Sequence, residues 1–342
     1  MTHVHFVGTI GLDTSEEVFA AAGKTVGAFL KRCPDGEVGG RRLWVSWQWP
    51  VLRSNAALEP AFDHPVPGLG ACQLRMKPGS SESDVHFGEL GYAREARTSY
   101  RDFVDARERG ILPAGIRFQV SLPTPWAVIS CFIEAEDVPR VFPAYQAAML
   151  DEVRRICAAI PHGDLAIQWD VCLELLQWDG RFPGFAAFEG MKEAFERQFA
   201  ILGGAVPPEA EIGIHLCYGD ADAKHMVEPI DTGKAVEVGN MFISSIGRPL
   251  NWIHLPVPVS RDDEAYYAPL AGLRLTSGTE LYLGLVHLNG GVSGTVRRME
   301  AARAVVPEFG IATECGFARA RTPEIARSIM QAHADAIAAS GG

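Results

Sequence analysis

Short apolar segments alternate along this chain with stretches of helical periodicity, and this alternation constrains the fold more than any other feature. The apolar segments are rich in β-branched or aromatic residues, and each ends at a polar or turn residue, as strands do. Eight strands are predicted, at residues 3–7, 26–33, 115–122, 165–171, 212–217, 251–255, 281–287 and 309–314. Helical patterns lie between them, for instance at 141–159, 190–202, 291–306 and 323–339. Nearly continuous apolar strands with helices between them are typical of a buried parallel sheet.

Eight strand-and-helix units can close into a (β/α)8 barrel, so we predict an α/β protein with a single TIM-barrel domain over residues 1–342. An open, doubly wound sheet is the alternative that the same pattern allows. Residues 50–115 are too long for a simple connection, and they hold clusters of Pro, Gly and Ser with a helical stretch at 99–109. We predict that they form a lid, inserted after the second strand, over the barrel mouth.

The charge of the chain argues against two classes of partner. The formal net charge is -11, and the Lys and Arg residues are scattered rather than gathered into a stripe. Nucleic acid and anionic membranes are therefore poor candidates, and a small-molecule substrate is expected. No secretion signal or long apolar run is found, and the seven cysteines are irregularly spaced, as reduced thiols are. A cytoplasmic protein is expected, whereas its oligomeric state stays open.

In a barrel of this kind the active site is assembled from the carboxyl ends of the strands. Here these ends are unusually polar, and the residues that stand at or just after them are Asp35, Glu37, Asp170, His215, Cys217, His254, His287, Glu314 and Cys315. A single strand-end Asp usually caps a helix, and a single His usually satisfies a hydrogen bond. Six polar strand ends that face one mouth predict a functional site instead.

The most specific group in this set is His215, Cys217 and Cys315. Residues i and i+2 of a strand point to the same side, so His215 and Cys217 can both face the barrel axis, where Cys315 arrives from the last strand. One imidazole and two thiolates are a typical zinc ligand set, and His254 is the obvious candidate for a fourth ligand. The alternative is that both cysteines are small buried apolar residues and that His215 hydrogen-bonds a backbone carbonyl.

The segment Ile-Gly-Ile-His-Leu-Cys-Tyr-Gly-Asp at 212–220, with Glu314-Cys315-Gly316 far downstream, resembles the zinc-binding pattern of the cobalamin-independent methionine synthase family. Further similarity lies in Ile167-Gln168-Trp169-Asp170, Asp35-Gly36-Glu37 and Val7-Gly8-Thr9-Ile10. The resemblance implies the barrel that this family shares with uroporphyrinogen decarboxylase. It also implies zinc held by the histidine and the two cysteines, with Asp170 holding the amino group of the substrate.

The chain departs from the family pattern at two places. A glutamate commonly completes the zinc shell on the strand after the His-x-Cys, where this chain has His254. Val171-Cys172 replaces the Glu-Pro that follows the aspartate of the family. Because no counterpart of the N-terminal folate-binding barrel of the full-length synthase is found, methionine synthesis from a folate donor is not expected.

The leading hypothesis is a zinc-dependent methyl or alkyl transferase that activates a thiol substrate at the barrel mouth, with zinc on His215, Cys217 and Cys315. The predicted substrate-binding residues are Glu37, Asp170, Asp35 and Trp44, and the predicted catalytic residues are His254, His287 and Asp170. The second hypothesis is a lyase or decarboxylase acting on an aromatic or small carboxylic substrate, in which histidines and Asp170 serve as acid and base without a metal. A non-catalytic binding protein is the third.

Overall fold

The elements of the fold are those of a computed structural model that describes residues 2–65, 72–220 and 224–341. Within these ranges the strands are β1 (Val4–His5), β2 (Arg32–Pro34), β3 (Leu58–Pro65), β4 (Cys72–Met76), β5 (Arg117–Pro123), β6 (Leu165–Val171), β7 (Glu211–Leu216), β8 (Trp252–Pro256), β9 (Glu280–Gly284) and β10 (Gly310–Ala312). The helices are α1 (Ser15–Val26), α2 (Trp49–Arg53), α3 (Tyr92–Glu108), α4 (Pro125–Phe132), α5 (Val138–Ala159), α6 (Leu173–Asp179), α7 (Met191–Gly204), α8 (Gly233–Ser245), α9 (Glu264–Tyr267), α10 (Gly291–Arg303) and α11 (Pro323–Ala339). No helix in the described ranges is long and apolar enough to cross a membrane.

Eight of these strands form one parallel sheet in the order β1-β10-β9-β8-β7-β6-β5-β2. A parallel bridge between Val4 and Leu30 joins β1 to the segment just before β2, so the sheet closes on itself. The predicted (β/α)8 barrel is therefore confirmed, and the open doubly wound sheet is excluded.

The second strand differs most from its predicted bounds of 26–33. Helix α1, which Thr14 caps by accepting a hydrogen bond from the Glu17 amide, continues to Val26 and passes into a 3₁₀ turn at Gly27–Phe29. Only Arg32–Pro34 is left to pair with β5. Of the apolar residues that suggested a strand, Val26 ends the amphipathic helix, and Ala28 and Phe29 lie in the 3₁₀ turn after it. Short apolar segments of this kind are easily mistaken for strands.

Buried charges close the amino-terminal end of the barrel. Arg32, the first residue of β2, is 3% exposed and forms ion pairs with Glu211 and Glu280, the first residues of β7 and β9. Its guanidinium lies 4.2 Å from the centre of the Trp252 ring. Because this end is filled by a satisfied polar cluster, any ligand has to enter from the other end of the strands.

Part of the predicted lid belongs to the barrel itself. Helix α3 packs between α1 and α5 on the outer ring, where Phe103 meets Phe19 edge-on. The Glu152 carboxylate accepts hydrogen bonds from the backbone amides of Leu90 and Ala93 at the start of α3, which fixes the helix to α5. The hairpin of β3 and β4 lies against the end of α4. A covering role for the rest of residues 50–115 stays a prediction.

We predict that Gly213→Ala destabilises the barrel. A Cβ at Gly213 would lie 2.0 Å from two ring atoms of Trp252, and Trp252 is held by Arg32 and by a 3.3 Å hydrogen bond to Gln168. Overpacking of this kind costs about 1 to 3 kcal/mol, measured as a lower free energy of unfolding in urea. Gly204→Ala is the control, because nothing lies within 4 Å of its added methyl group. Equal stability of both variants would show that Trp252 is free to move.

Candidate active site

The parallel register brings three predicted site residues to one level of the barrel. Asp170 on β6 is paired with His215 on β7, and His215 is paired with His254 on β8. Cys217 follows β7 directly, and Cys315 lies three residues beyond the end of β10. The strand ends therefore deliver carboxylate, imidazole and thiol groups to one place, as the pattern predicted.

A cavity of about 250 Å³ opens at this end of the barrel. Six of the predicted site residues line it, namely Glu37, Trp44, Asp170, His215, Cys217 and Cys315. Apolar side chains make up much of the remaining wall, among them Leu43, Leu173, Phe182, Phe185 and Met226. A largely apolar cavity with a few converging polar groups is typical of a site for a small molecule.

The three candidate metal ligands lie close enough to share one ion. One ligand atom from each of His215, Cys217 and Cys315 lies within 4.8 Å of the other two, and the two Sγ atoms are 3.5 Å apart. Two sulfur ligands of a tetrahedral zinc, each at about 2.3 Å, lie about 3.8 Å from each other. The Nε2 atom of His215 is buried and has no hydrogen-bond partner. These donor atoms fit a zinc ion.

The imidazole of His254 does not complete this ligand set. Its Nε2 lies 2.9 Å from the Thr313 carbonyl, and its Nδ1 lies 2.7 Å from Nδ1 of His215. A carbonyl only accepts, so Nε2 of His254 donates to it, and Nδ1 of His254 accepts a hydrogen bond from His215. Burial lowers the pKa of both histidines, to about 3 for His254, so both rings are neutral. The lone pair of His215 Nε2 is consequently free of any hydrogen bond, and His254 fixes the orientation of the His215 ring.

A third thiol lies beside the two predicted cysteine ligands. Cys172 lines the cavity, and its side chain hydrogen-bonds that of Cys217. This hydrogen bond and burial raise the pKa of the Cys217 thiol, and the hydrogen bond with Cys217 together with burial raises the pKa of Cys315. In the sequence Cys172 was only a departure from the family pattern. Its position two residues after Asp170, at the end of β6, is the signal that places it at the same mouth.

Two carboxyl groups share one wall of the cavity. Burial raises the pKa of Asp170 to about 7, although its Oδ1 accepts a 2.9 Å hydrogen bond from Gln168. Burial and the neighbouring Asp170 raise the pKa of Glu37 well above its ordinary value. Glu37 reaches this place through a left-handed backbone conformation, with φ of 46°. Its carboxylate lies over Gly8, where a Cβ would approach it to 2.3 Å.

The other predicted substrate-binding residues divide into one that lines the cavity and one that does not. The Trp44 side chain lies on the cavity wall and hydrogen-bonds Asp170. Asp35 instead forms an ion pair with Arg41 at 2.8 Å and accepts a hydrogen bond from the Glu37 amide at 2.8 Å. Because both interactions of its carboxylate stabilise the turn that carries Glu37, Asp35 supports the site without lining the cavity.

His287 is placed away from the cavity. Its Nε2 lies 2.8 Å from the Val257 carbonyl, and His287 is not among the residues that line the cavity. Burial lowers the pKa of His287 to about 3, so its ring is neutral. The structure thus gives neither of the two histidines predicted as catalytic a free nitrogen in the cavity. A histidine at a strand end has two possible directions, and the sequence pattern does not distinguish them.

Comparison with solved structures connects this geometry to known proteins. No protein-family profile matches the chain, and no curated protein matches it in sequence. A B12-independent methionine synthase from Shewanella sp. W3-18-1, in complex with selenomethionine, superimposes with a TM-score of 0.64 at 13% identity over 97% of this chain and 96% of the other. The chain has the fold of this synthase. A putative vitamin-B12 independent methionine synthase from Listeria monocytogenes gives 0.55 at 13% identity over 98% of each chain. The family resemblance seen in the motifs is confirmed at the level of the fold.

We predict that Asp170→Asn makes the protein more stable at alkaline pH. Because the pKa of Asp170 is raised to about 7, the folded protein holds a proton that the unfolded chain releases above about pH 4. The free energy of unfolding therefore falls as pH rises from about 4 to 7. The asparagine variant cannot lose a proton at this position. Its free energy of unfolding should therefore exceed that of the native protein by about 1 to 3 kcal/mol at pH 8 but not at pH 4.

The measurement is urea unfolding at a series of pH values. Asp105→Asn is the matched control, because Asp105 is exposed on the outer helix α3, and its curve should follow that of the native protein. A constant difference between Asp170→Asn and native protein at every pH would contradict the prediction.

Proposed function

We propose that this protein is a zinc-dependent methyl or alkyl transferase that acts on a thiol substrate. The observation that carries the proposal is the unpartnered Nε2 of His215, buried beside the thiols of Cys217 and Cys315 at the carboxyl end of a barrel. All three residues line the cavity, so a metal ion bound by them would be accessible to a substrate. When zinc is bound to such a set, it lowers the pKa of a substrate thiol so that a thiolate is present at neutral pH.

The protein residues divide the remaining tasks between them. His215, Cys217 and Cys315 hold the metal, and the backbone amide of Gly219 donates a 3.2 Å hydrogen bond to Cys217 Sγ that favours the thiolate form. Glu37 and Asp170 are placed to bind a cationic group of the substrate, because a cation between them would offset the repulsion by which Asp170 raises the pKa of Glu37. Apolar side chains at the mouth exclude water around the reacting sulfur.

The solved relatives support this proposal in two ways. Both named synthases share the barrel over nearly their whole length, and one of them was solved with selenomethionine, an amino acid that carries an alkylated chalcogen. The lyase alternative depends on histidines acting together with Asp170 as acid and base, and the histidines are not available for this role. His254 and His287 are both hydrogen-bonded to backbone carbonyls, so the geometry favours the transferase.

We predict about one zinc per chain in protein purified without chelator, measured by metal-emission analysis. Cys315→Ser and Cys217→Ser should each lower the zinc content several-fold, because a neutral hydroxyl is a poor replacement for a thiolate. Cys72→Ser is the control, since Cys72 lies on the β3–β4 hairpin and does not line the cavity. Activity that persists fully in metal-free protein with chelator present would reject the transferase and favour the lyase.

We predict that His254→Ala weakens zinc binding by about 10- to 100-fold, because removal of a group that orients a ligand histidine has effects of this size. His254→Gln should recover part of the loss, since an amide oxygen can accept the hydrogen bond from His215 Nδ1. The readout is zinc affinity, measured by competition with a chromogenic chelator. His287→Ala serves as the matched control and should keep the native affinity. If both alanine variants bind zinc as the native protein does, His254 has no positioning role.

A further inference from the structure

The guanidinium of Arg319 lines the cavity without a partner. Its Nε is buried and makes no hydrogen bond, and within the described ranges its side chain forms neither a hydrogen bond nor an ion pair. A buried or half-buried guanidinium loses the hydration of five donors, so an arginine in such a place normally has an acceptor.

Other well-buried arginines of the chain follow this expectation. Arg32 is paired with Glu211 and Glu280, and Arg41 is paired with Asp35. Arg298 donates to the carbonyls of Leu285 and Val259, although no carboxylate in the described ranges lies within ion-pair distance of it. Arg319 differs from these residues in facing open space. A molecule that enters the cavity is therefore expected to supply the hydrogen-bond acceptor for its guanidinium.

The backbone holds Arg319 in this direction. Four residues before it, Cys315 belongs to the set of candidate metal ligands. The Phe317 amide donates a 2.7 Å hydrogen bond to the Thr9 carbonyl. One residue after it, Ala320 has a left-handed backbone with φ of 53°, and it also lines the cavity. A strained residue of this kind persists where neighbouring contacts impose it. The position of Arg319 is thus set by the same loop that sets the position of Cys315.

The charges around the cavity show what Arg319 can offer a ligand. It is the one Arg or Lys among the described residues that line the cavity. Its charge lowers the pKa of Glu37 and of Asp170, against the larger raising effects there, yet neither carboxylate is within ion-pair distance of it. Asp220, the third acidic residue of the wall, forms its 3.0 Å ion pair with Arg321. The cavity consequently presents a cation that interacts with the thiols of Cys315 and Cys217, and two carboxyl groups that are not paired with it.

We propose that Arg319 binds an anionic group of the thiol substrate, a carboxylate, sulfonate or phosphonate at the end away from the sulfur. This inference rests on the proposed function only in that the substrate carries a thiol. The substrate class that follows is a small acidic thiol, oriented with its sulfur toward Cys217 and Cys315 and its anion on the planar donors of the guanidinium.

The test compares two thiols of equal length by isothermal titration calorimetry under reducing conditions. They are 3-mercaptopropionate and the uncharged 3-mercapto-1-propanol, each titrated into zinc-loaded and into metal-free protein. The native protein should bind the acidic thiol about 10- to 100-fold more tightly than the neutral one, as expected for a charge-assisted hydrogen bond in a partly buried site. A third probe, 3-mercaptopropane-1-sulfonate, separates a preference for sulfonate from one for carboxylate.

Arg319→Gln should reduce this preference to about one, through weaker binding of the acidic thiol with little change for the neutral thiol. Arg319→Lys should keep part of the preference, because it keeps the charge but loses the planar pair of donors. Arg109→Gln, which removes an exposed charge directly after α3, is the control and should bind both thiols as the native protein does. Retained binding of the neutral thiol shows that the variants are folded.

The possible results separate the two proposals. If the native protein binds both thiols equally, or if Arg319→Gln weakens both by the same factor, Arg319 does not select an anion and the inference is overturned. In the second case Arg319 acts on the thiol cluster or on Asp220 instead. If zinc changes the affinity for neither thiol while Arg319 still selects the acidic one, the inference stands and the zinc-dependent function fails.

Discussion

The parallel register of β6, β7 and β8 is the constraint on which the site depends. It aligns Asp170, His215 and His254 across three neighbouring strands, so their side chains start from one level of the barrel. Slippage of one strand by a single residue would turn its inward side chains outward, because the side-chain period of a strand is two. The buried ion pairs of Arg32 at the opposite end resist such slippage, since Glu211 and Glu280 open their strands and meet the same guanidinium.

Two hydrogen bonds connect the Thr313 carbonyl to His254 and His254 to His215, and these residues lie at or just after β10, β8 and β7. Each member has one role that its neighbour dictates: the carbonyl fixes the tautomer of His254, and His254 fixes that of His215. Because His254 is neutral and hydrogen-bonded at both ring nitrogens, it supports His215 and adds no charge to the cluster of His215, Cys217 and Cys315.

Much of the fold and part of the site could be predicted from sequence, for reasons that particular residues make clear. Long buried strands such as β6 and β7 have a nearly continuous apolar pattern, and the i, i+2 spacing of His215 and Cys217 fixes their common side. The bounds of β2 were not predictable in this way, because the end of α1 is equally apolar. The roles of His254 and Asp35 depend on partners far away in sequence, Thr313 for one and the orientation of Arg41 for the other. An unpaired arginine such as Arg319 has no sequence signature at all, since only the folded chain shows that an acceptor is missing.

The joining of the first strand to the last has a consequence for the order in which the site is assembled. Val4 is paired with Ile311, and Gly316 lies so close to Thr9 that a Cβ there would meet its hydroxyl oxygen at 2.1 Å. During synthesis His215 and Cys217 leave the ribosome about a hundred residues before Cys315, and β1 has to wait with an unpaired edge until β10 arrives. Contacts between segments so distant in sequence form slowly, because the intervening loop must close first. The cluster of His215, Cys217 and Cys315 is therefore a late product of folding, and its third member arrives in the same event that seals the barrel.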